Sequence, residues 1–144
     1  MPRVLIVDDH AVIRRGVQGI LNGYPEWQLC GEADNAQEGV RLAGELGPEI
    51  VIMDISMPGL NGLQATRIIH DVLPETKVVL LTLHSSGEFV RSAFHAGARG
   101  YVLKSDVENE LVRALNIVVG EGTYVSPAID AQAAREALVQ SDLN

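Results

Sequence analysis

Apolar residues along the chain fall into two kinds of segment that alternate. Short, nearly unbroken runs start at residues 4, 27, 50, 77 and 101: Val4-Leu5-Ile6-Val7, Trp27 to Cys30, Ile50-Val51-Ile52-Met53, Lys77 to Leu83, and Tyr101-Val102-Leu103. Between them apolar positions return at i, i+3, i+4 and i+7, the spacing of one helix face. Ile13, Val17, Ile20 and Leu21 share such a face. So do Ala65, Ile68, Ile69 and Val72, then Val90, Ala93, Phe94 and Gly97, and last Leu111, Ala114, Leu115 and Val118. One strand followed by one helix, five times over, predicts an α/β domain. The runs are apolar at nearly every position instead of every second one. That predicts strands covered on both faces, hence a parallel sheet with helices on either side. Right-handed crossovers leave few topologies, and the expected one is the five-stranded, doubly wound, flavodoxin-like order 2-1-3-4-5.

The periodicity thins after Gly122. Ser126-Pro127 reads as a helix N-cap followed by proline at the first helical position, and Ile129, Ala133 and Ala137 make a thin apolar stripe. A domain over 1–122 and a connecting segment over 123–144 that forms a sixth helix are therefore expected. The length of 144 residues suits one domain with a short extension.

Composition narrows the class. No apolar run approaches the roughly 18 residues of a membrane span, and Met1-Pro2-Arg3 leads straight into a strand-like run, unlike a secretory leader. The single cysteine, Cys30, permits no intrachain disulfide; it reads as a small buried hydrophobe, and a reducing compartment fits. A cytoplasmic protein without membrane contact is expected. Net charge is −8, from eleven Lys/Arg and nineteen Asp/Glu, and no basic cluster exists. Direct binding to nucleic acid through its phosphates is therefore disfavoured.

The charged and polar residues that remain informative sit at strand ends. Asp8 and Asp9 end the first strand, Asp54 the third, Thr82 closes the fourth, and Lys104 follows the fifth. Open parallel sheets bind ligands outside the carboxyl ends of their strands. Three carboxylates gathered there repel by roughly 4 kcal/mol per pair at an effective dielectric near 20. Lys104 supplies one opposing charge, and a divalent cation with hard oxygen ligands, Mg²⁺, suits the rest. Phosphoryl transfer needs this set: an in-line nucleophile, a metal and donors on the transferred oxygens. Asp54 serves as nucleophile, Asp9 with Asp8 behind it as metal ligands, and Thr82 and Lys104 as partners of the phosphoryl oxygens. The Pro58-Gly59 and Asn61-Gly62 pairs mark turns that fold the chain back after Asp54, so the Ser56 carbonyl also faces the metal. His10, His70, His84 and His95 lack metal-ligand spacing; His10 and His84 read as solvated loop residues near the site. No glycine-rich nucleotide loop is present.

Ile6-Val7-Asp8-Asp9-His10, Asp54 through Gly62, Leu81-Thr82 and Gly100-Tyr101-Val102-Leu103-Lys104 resemble, in order and spacing, the signature of response-regulator receiver domains from about residue 3 to 122. Asp8 to Gly16 and Gly97 to Ser105 are most similar to the NarL/FixJ (LuxR-type) subfamily. The resemblance implies Asp54 as phospho-acceptor, Asp8, Asp9, Asp54 and the Ser56 carbonyl around Mg²⁺, Lys104 on the phosphate, and Thr82 with Tyr101 as a switch pair. It implies a sensor histidine kinase as partner and phosphorylation-promoted homodimerisation. It also implies DNA binding only through a C-terminal helix-turn-helix domain absent from these residues. Ser105 departs from the pattern, since many receivers carry a cis proline there. Without proline a cis bond costs about 2.5–4 kcal/mol.

Two rival readings are weaker. A haloacid-dehalogenase-like phosphatase needs a general acid two residues after its nucleophile, where this chain has Ser56. A flavodoxin-type carrier needs a hydroxyl- and glycine-rich loop after the first strand, where this chain has Asp8-Asp9-His10-Ala11.

Overall fold

A computed structural model describes residues 2–129. The chain runs β1 (Arg3–Val7), α1 (Ala11–Asn22), β2 (Gln28–Ala33), α2 (Ala36–Leu46), β3 (Ile50–Asp54), α3 (Gly62–Val72), β4 (Lys77–Thr82), α4 (Gly87–His95), β5 (Gly100–Leu103), a 3₁₀ turn (Lys104–Asp106), α5 (Val107–Val119) and β6 (Tyr124–Val125). The strands form one parallel sheet of order β2-β1-β3-β4-β5-β6. The flavodoxin-like 2-1-3-4-5 order stands, with a sixth strand added at its edge.

Strand residues alternate between two apolar layers. Val4, Ile6, Ile50, Ile52, Val79, Leu81 and Val102 pack with Val17 and Leu21 of α1 and with Leu111, Ala114, Leu115 and Val118 of α5. Leu5, Val7, Val51, Met53, Leu80, Tyr101 and Leu103 face the layer of α2, α3 and α4, with Ala43, Ile69, Val90 and Phe94. Both faces of every central strand are thus withdrawn from water, which is why those runs are almost continuously apolar. Each fully buried aliphatic side chain stabilises the fold by about 1.5–3 kcal/mol.

Several expectations need correction. Ile68 and Val72 of α3 are exposed at 37% and 68%; the helix buries Ala65, Thr66 and Ile69 instead. The Thr66 hydroxyl donates to the Gly62 carbonyl, so a polar residue is tolerated inside and the stripe is rotated. Gly97 lies beyond α4 with φ of 112°, where an added Cβ would run into the His70 ring. Asn61-Gly62 is a helix start and not a turn: Asn61 and Gln64 form a reciprocal capping box. Leu83 is outside β4 and 77% exposed. Cys30 is half-buried, packed against the core edge, and burial pushes its thiol pKa up.

Tyr124 and Val125, within the stretch read as a connecting segment, form β6 on the outer edge of β5. Ser126 lies in a turn with its side chain directed to Leu103. The expected sixth helix falls mainly on residues 130–144, outside the described residues.

Candidate functional site

The site forms where β1, β3, β4 and β5 end. Asp8 follows β1, and its N–H donates to the Ala33 carbonyl of β2 at 3.1 Å, which draws its side chain into the sheet edge. Asp54 closes β3 opposite Leu81 in register, and Thr82 pairs with Leu103, one residue before Lys104. Asp8, Asp54 and Thr82 are buried, whereas Asp9 and Ser56 are exposed. The loop after Asp54 is anchored by buried Ile55 and Met57 and by the Gly62 N–H, which donates to the Ile55 carbonyl at 2.9 Å. A Cβ on Gly62 would collide with the Asp54 carbonyl oxygen, so only glycine lets α3 start this close to the site.

Lys104 Nζ lies 3.2 Å from Asp8 Oδ2 and 3.4 Å from Asp54 Oδ1. Asp54 Oδ1 also accepts the Ser56 N–H at 3.3 Å. Asp8 Oδ2, though near the ammonium, lacks hydrogen-bond geometry to it, and Asp54 Oδ2 has no partner at all. Among the described residues these two are the buried side-chain oxygens left without a hydrogen bond. Buried, unsatisfied carboxylate oxygens are costly unless a cation meets them. Burial, then the charge of Asp8, push the Asp54 carboxyl above its ordinary value, against the pull of Lys104. Asp8, Asp9, His10 and Asp54 each offer a ligand atom within 4.8 Å of the others. The oxygen-rich donor set and the two unsatisfied buried oxygens fit a hard divalent cation.

His10 is more than the solvated loop residue that its sequence position suggests. Its ring is exposed, yet Nδ1 lies 3.0 Å from Asp8 Oδ1 and 3.1 Å from Asp9 Oδ1. Its N–H donates to the same Asp8 oxygen at 2.9 Å. Arg14 donates to the Asp8 carbonyl at 2.7 Å and holds that turn from α1.

His84 is the larger surprise. Its N–H donates to Thr82 Oγ1 at 3.0 Å, its carbonyl accepts the Tyr101 hydroxyl at 2.7 Å, and its Nε2 lies 3.1 Å from Ser56 Oγ. The ring stacks on Phe89 with centroids 4.2 Å apart. Tyr101 is fully buried and its phenol pKa is pushed up to about 12 by burial. His84 therefore ties the loop after Asp54 to both Thr82 and Tyr101. No sequence motif pointed to this; the only signal was its place two residues after Thr82. The peptide bonds of the described residues, Lys104–Ser105 included, are trans.

Comparisons with known proteins agree with this geometry. The sequence profile of the response regulator receiver domain matches residues 4–116. The chain is 36% identical over 127 residues to the transcriptional regulatory protein MctR of Rhizobium johnstonii, covering 88% of this chain and 59% of MctR. It is 40% identical over 134 residues to the response regulator GacA of Pseudomonas viridiflava, covering 93% and 63%. A crystal structure of a LuxR-family two-component response regulator from Aurantimonas sp. SI85-9A1 superposes with a TM-score of 0.87 at 37% identity, covering 95% of this chain and 97% of that one. The chain belongs to the response regulator receiver family, and its relatives are response regulators of the LuxR/NarL type. It spans about three-fifths of the length of the curated relatives named. Receivers hold Mg²⁺ in an acidic pocket, and the cluster of Asp8, Asp9, His10 and Asp54 is a pocket of that kind.

Proposed function

We propose that Asp54 accepts a phosphoryl group from a phosphohistidine of a sensor kinase. One Asp54 carboxylate oxygen attacks phosphorus, the phosphorus–nitrogen bond breaks, and the imidazole leaves with the electron pair. The observation that carries this reading is Asp54 Oδ2, buried and without a partner, on a carboxylate whose other oxygen, Oδ1, lies against the lysine that also reaches Asp8. Mg²⁺ held by Asp8, Asp9, Asp54 and the Ser56 carbonyl would neutralise the charge developing on the phosphoryl oxygens. Lys104 and Thr82 supply the remaining donors to those oxygens. Thr82 turns from its bond with the His84 N–H toward the phosphate, and Tyr101 keeps to the interior as the second half of the switch. Ligand and charge act by shifting the balance between two arrangements already available to the loops.

Ser56 offers no general acid for phosphatase turnover, so the role is a switch and not a hydrolase. We read 1–122 as the receiver and 123–144 as the segment leading towards an output domain. A transcriptional role through a helix-turn-helix domain, homodimerisation on phosphorylation and a cytoplasmic location belong to the same reading. Among the described residues no helix is long and apolar enough to cross a membrane.

The test is intact-mass spectrometry after incubation with a small phosphodonor and Mg²⁺. The parent gains one phosphoryl mass and Asp54→Asn gains none. Equal labelling of the variant would overturn the assignment.

A further inference from the structure

The outer edge of β5 is covered by this chain's own residues 124–129, which lie beyond the stretch that the family profile matches. The attachment is short but polar and buried. Tyr124 N–H donates to the Arg99 carbonyl at 3.0 Å, and Ser126 N–H to the Tyr101 carbonyl at 2.9 Å. After Val125 the strand stops, and the Ser126 side chain takes over the ladder: its Oγ accepts the Leu103 N–H at 3.0 Å. Ser126 is 1% exposed. The chain then turns, with the Ile129 N–H on the Ser126 carbonyl, and buries Ile129 in the core layer that contains Tyr101, Val90 and Phe94. The strap thus grips the two β5 peptide groups that flank the switch: the carbonyl of Tyr101 and the N–H of the residue before Lys104.

We propose that residues 124–129 are a releasable strap whose docking on β5 reports the state of Asp54. This rests on Asp54 being the phospho-acceptor. A two-residue strand opens more readily than the central sheet, and its anchors move with β5. The docked strap coexists with an inward Tyr101, whose hydroxyl is bound to the His84 carbonyl. An outward Tyr101 leaves the layer that Ile129 closes underpacked and shifts the carbonyl that holds Ser126. A phosphoryl group that draws Lys104 and Thr82 inward keeps Tyr101 in place and tightens the strap. Binding linkage is reciprocal, so loosening the strap weakens the phosphoryl state by the same factor.

The test uses the 144-residue chain and beryllofluoride, a phosphomimetic, with Mg²⁺. Its binding is followed by fluorine NMR, and strap opening by amide hydrogen exchange at Leu103, Tyr124 and Ser126. Saturation is expected to slow exchange at these amides several-fold. Ser126→Ala and Ile129→Ala are expected to weaken beryllofluoride binding by a similar factor. Ser126→Ala is the milder lesion and carries the test alone if Ile129→Ala does not fold. Unchanged or faster exchange at saturation would overturn the strap, as would variants that open the strap yet bind with parental affinity. An absent fluorine signal would instead sink the phospho-acceptor reading, and the coupling with it.

Discussion

The two faces of the sheet are built differently. On the α1/α5 face the helical contribution is aliphatic: Leu111, Ala114, Leu115 and Val118 are all 0% exposed against Val79, Leu81 and Val102. On the other face the layer holds Tyr101 as its largest fully buried side chain, with Thr66 and Thr82 buried at or near it. Trp27 and Tyr124 complete the α1/α5 face, their polar tips bound to Asn116 and Glu110, while its helix contacts depend on close aliphatic fit. The other face contains hydroxyls whose hydrogen bonds can be exchanged for others at little net cost, since a typical bond contributes only about 0.5–1.5 kcal/mol. The helices of one face hold the sheet by aliphatic fit, and the proposed switch residues lie on the other. The buried charges lie at the strand ends between them.

Breaking the aliphatic fit should have the largest effect on stability. Leu115→Ala is expected to cost about 2–5 kcal/mol in urea unfolding while leaving Asp54 labelling of the folded fraction unchanged. A labelling defect in folded protein would blur the distinction between the faces. Lys104→Met comes next. It leaves two buried carboxylates facing each other, and a loss of about 3 kcal/mol at neutral pH follows from removing one member of a buried ion pair. If metal-free denaturation shows no such loss, the strand-end charges are better solvated than their burial indicates.

Asp54→Asn should act in the opposite direction. It removes a carboxylate that burial and Asp8 destabilise. A gain of ~1 kcal/mol would raise the melting temperature of a chain this size by about 4 °C in the absence of metal. Mg²⁺ should raise the parent's melting temperature and narrow that gap; a gap that is the same with and without Mg²⁺ argues against Asp54 as a ligand. The pH dependence has a definite sign. The unfolded value is near 3.8, and the folded value lies above it. The fold therefore binds this proton more tightly than the unfolded chain. The stability it contributes is fully present below the unfolded value and is lost as pH rises through the folded one. The stability difference between Asp54→Asn and parent should accordingly widen in EDTA as pH climbs from 4. A flat difference would mean that Asp54 is not perturbed.

The smallest effect belongs to the exchangeable face. Tyr101→Phe keeps the ring and deletes the bond to the His84 carbonyl, for an expected loss of about 0.5–1.5 kcal/mol. A loss as large as that for Leu115→Ala would show that the two faces are equally rigid.

Much of this was legible in the order of residues. Strand order, the burial of both sheet faces and the convergence of Asp8, Asp54, Thr82 and Lys104 follow from periodicity and from the rule that parallel strands end together. Those features are local or repeat regularly, and hydrophobic burial is insensitive to detail. Tertiary packing decided the rest. His84 joins Ser56, Thr82 and Tyr101 through its ring and its backbone, and backbone partners leave no trace in side-chain identity. Asn61-Gly62 became a helix cap because the Asp54 carbonyl crowds Gly62. Ser126 Oγ accepts the Leu103 N–H, a partner that its place before Pro127 does not announce. A buried donor takes the acceptor nearest in space, and spacing along the chain does not reveal which one that will be.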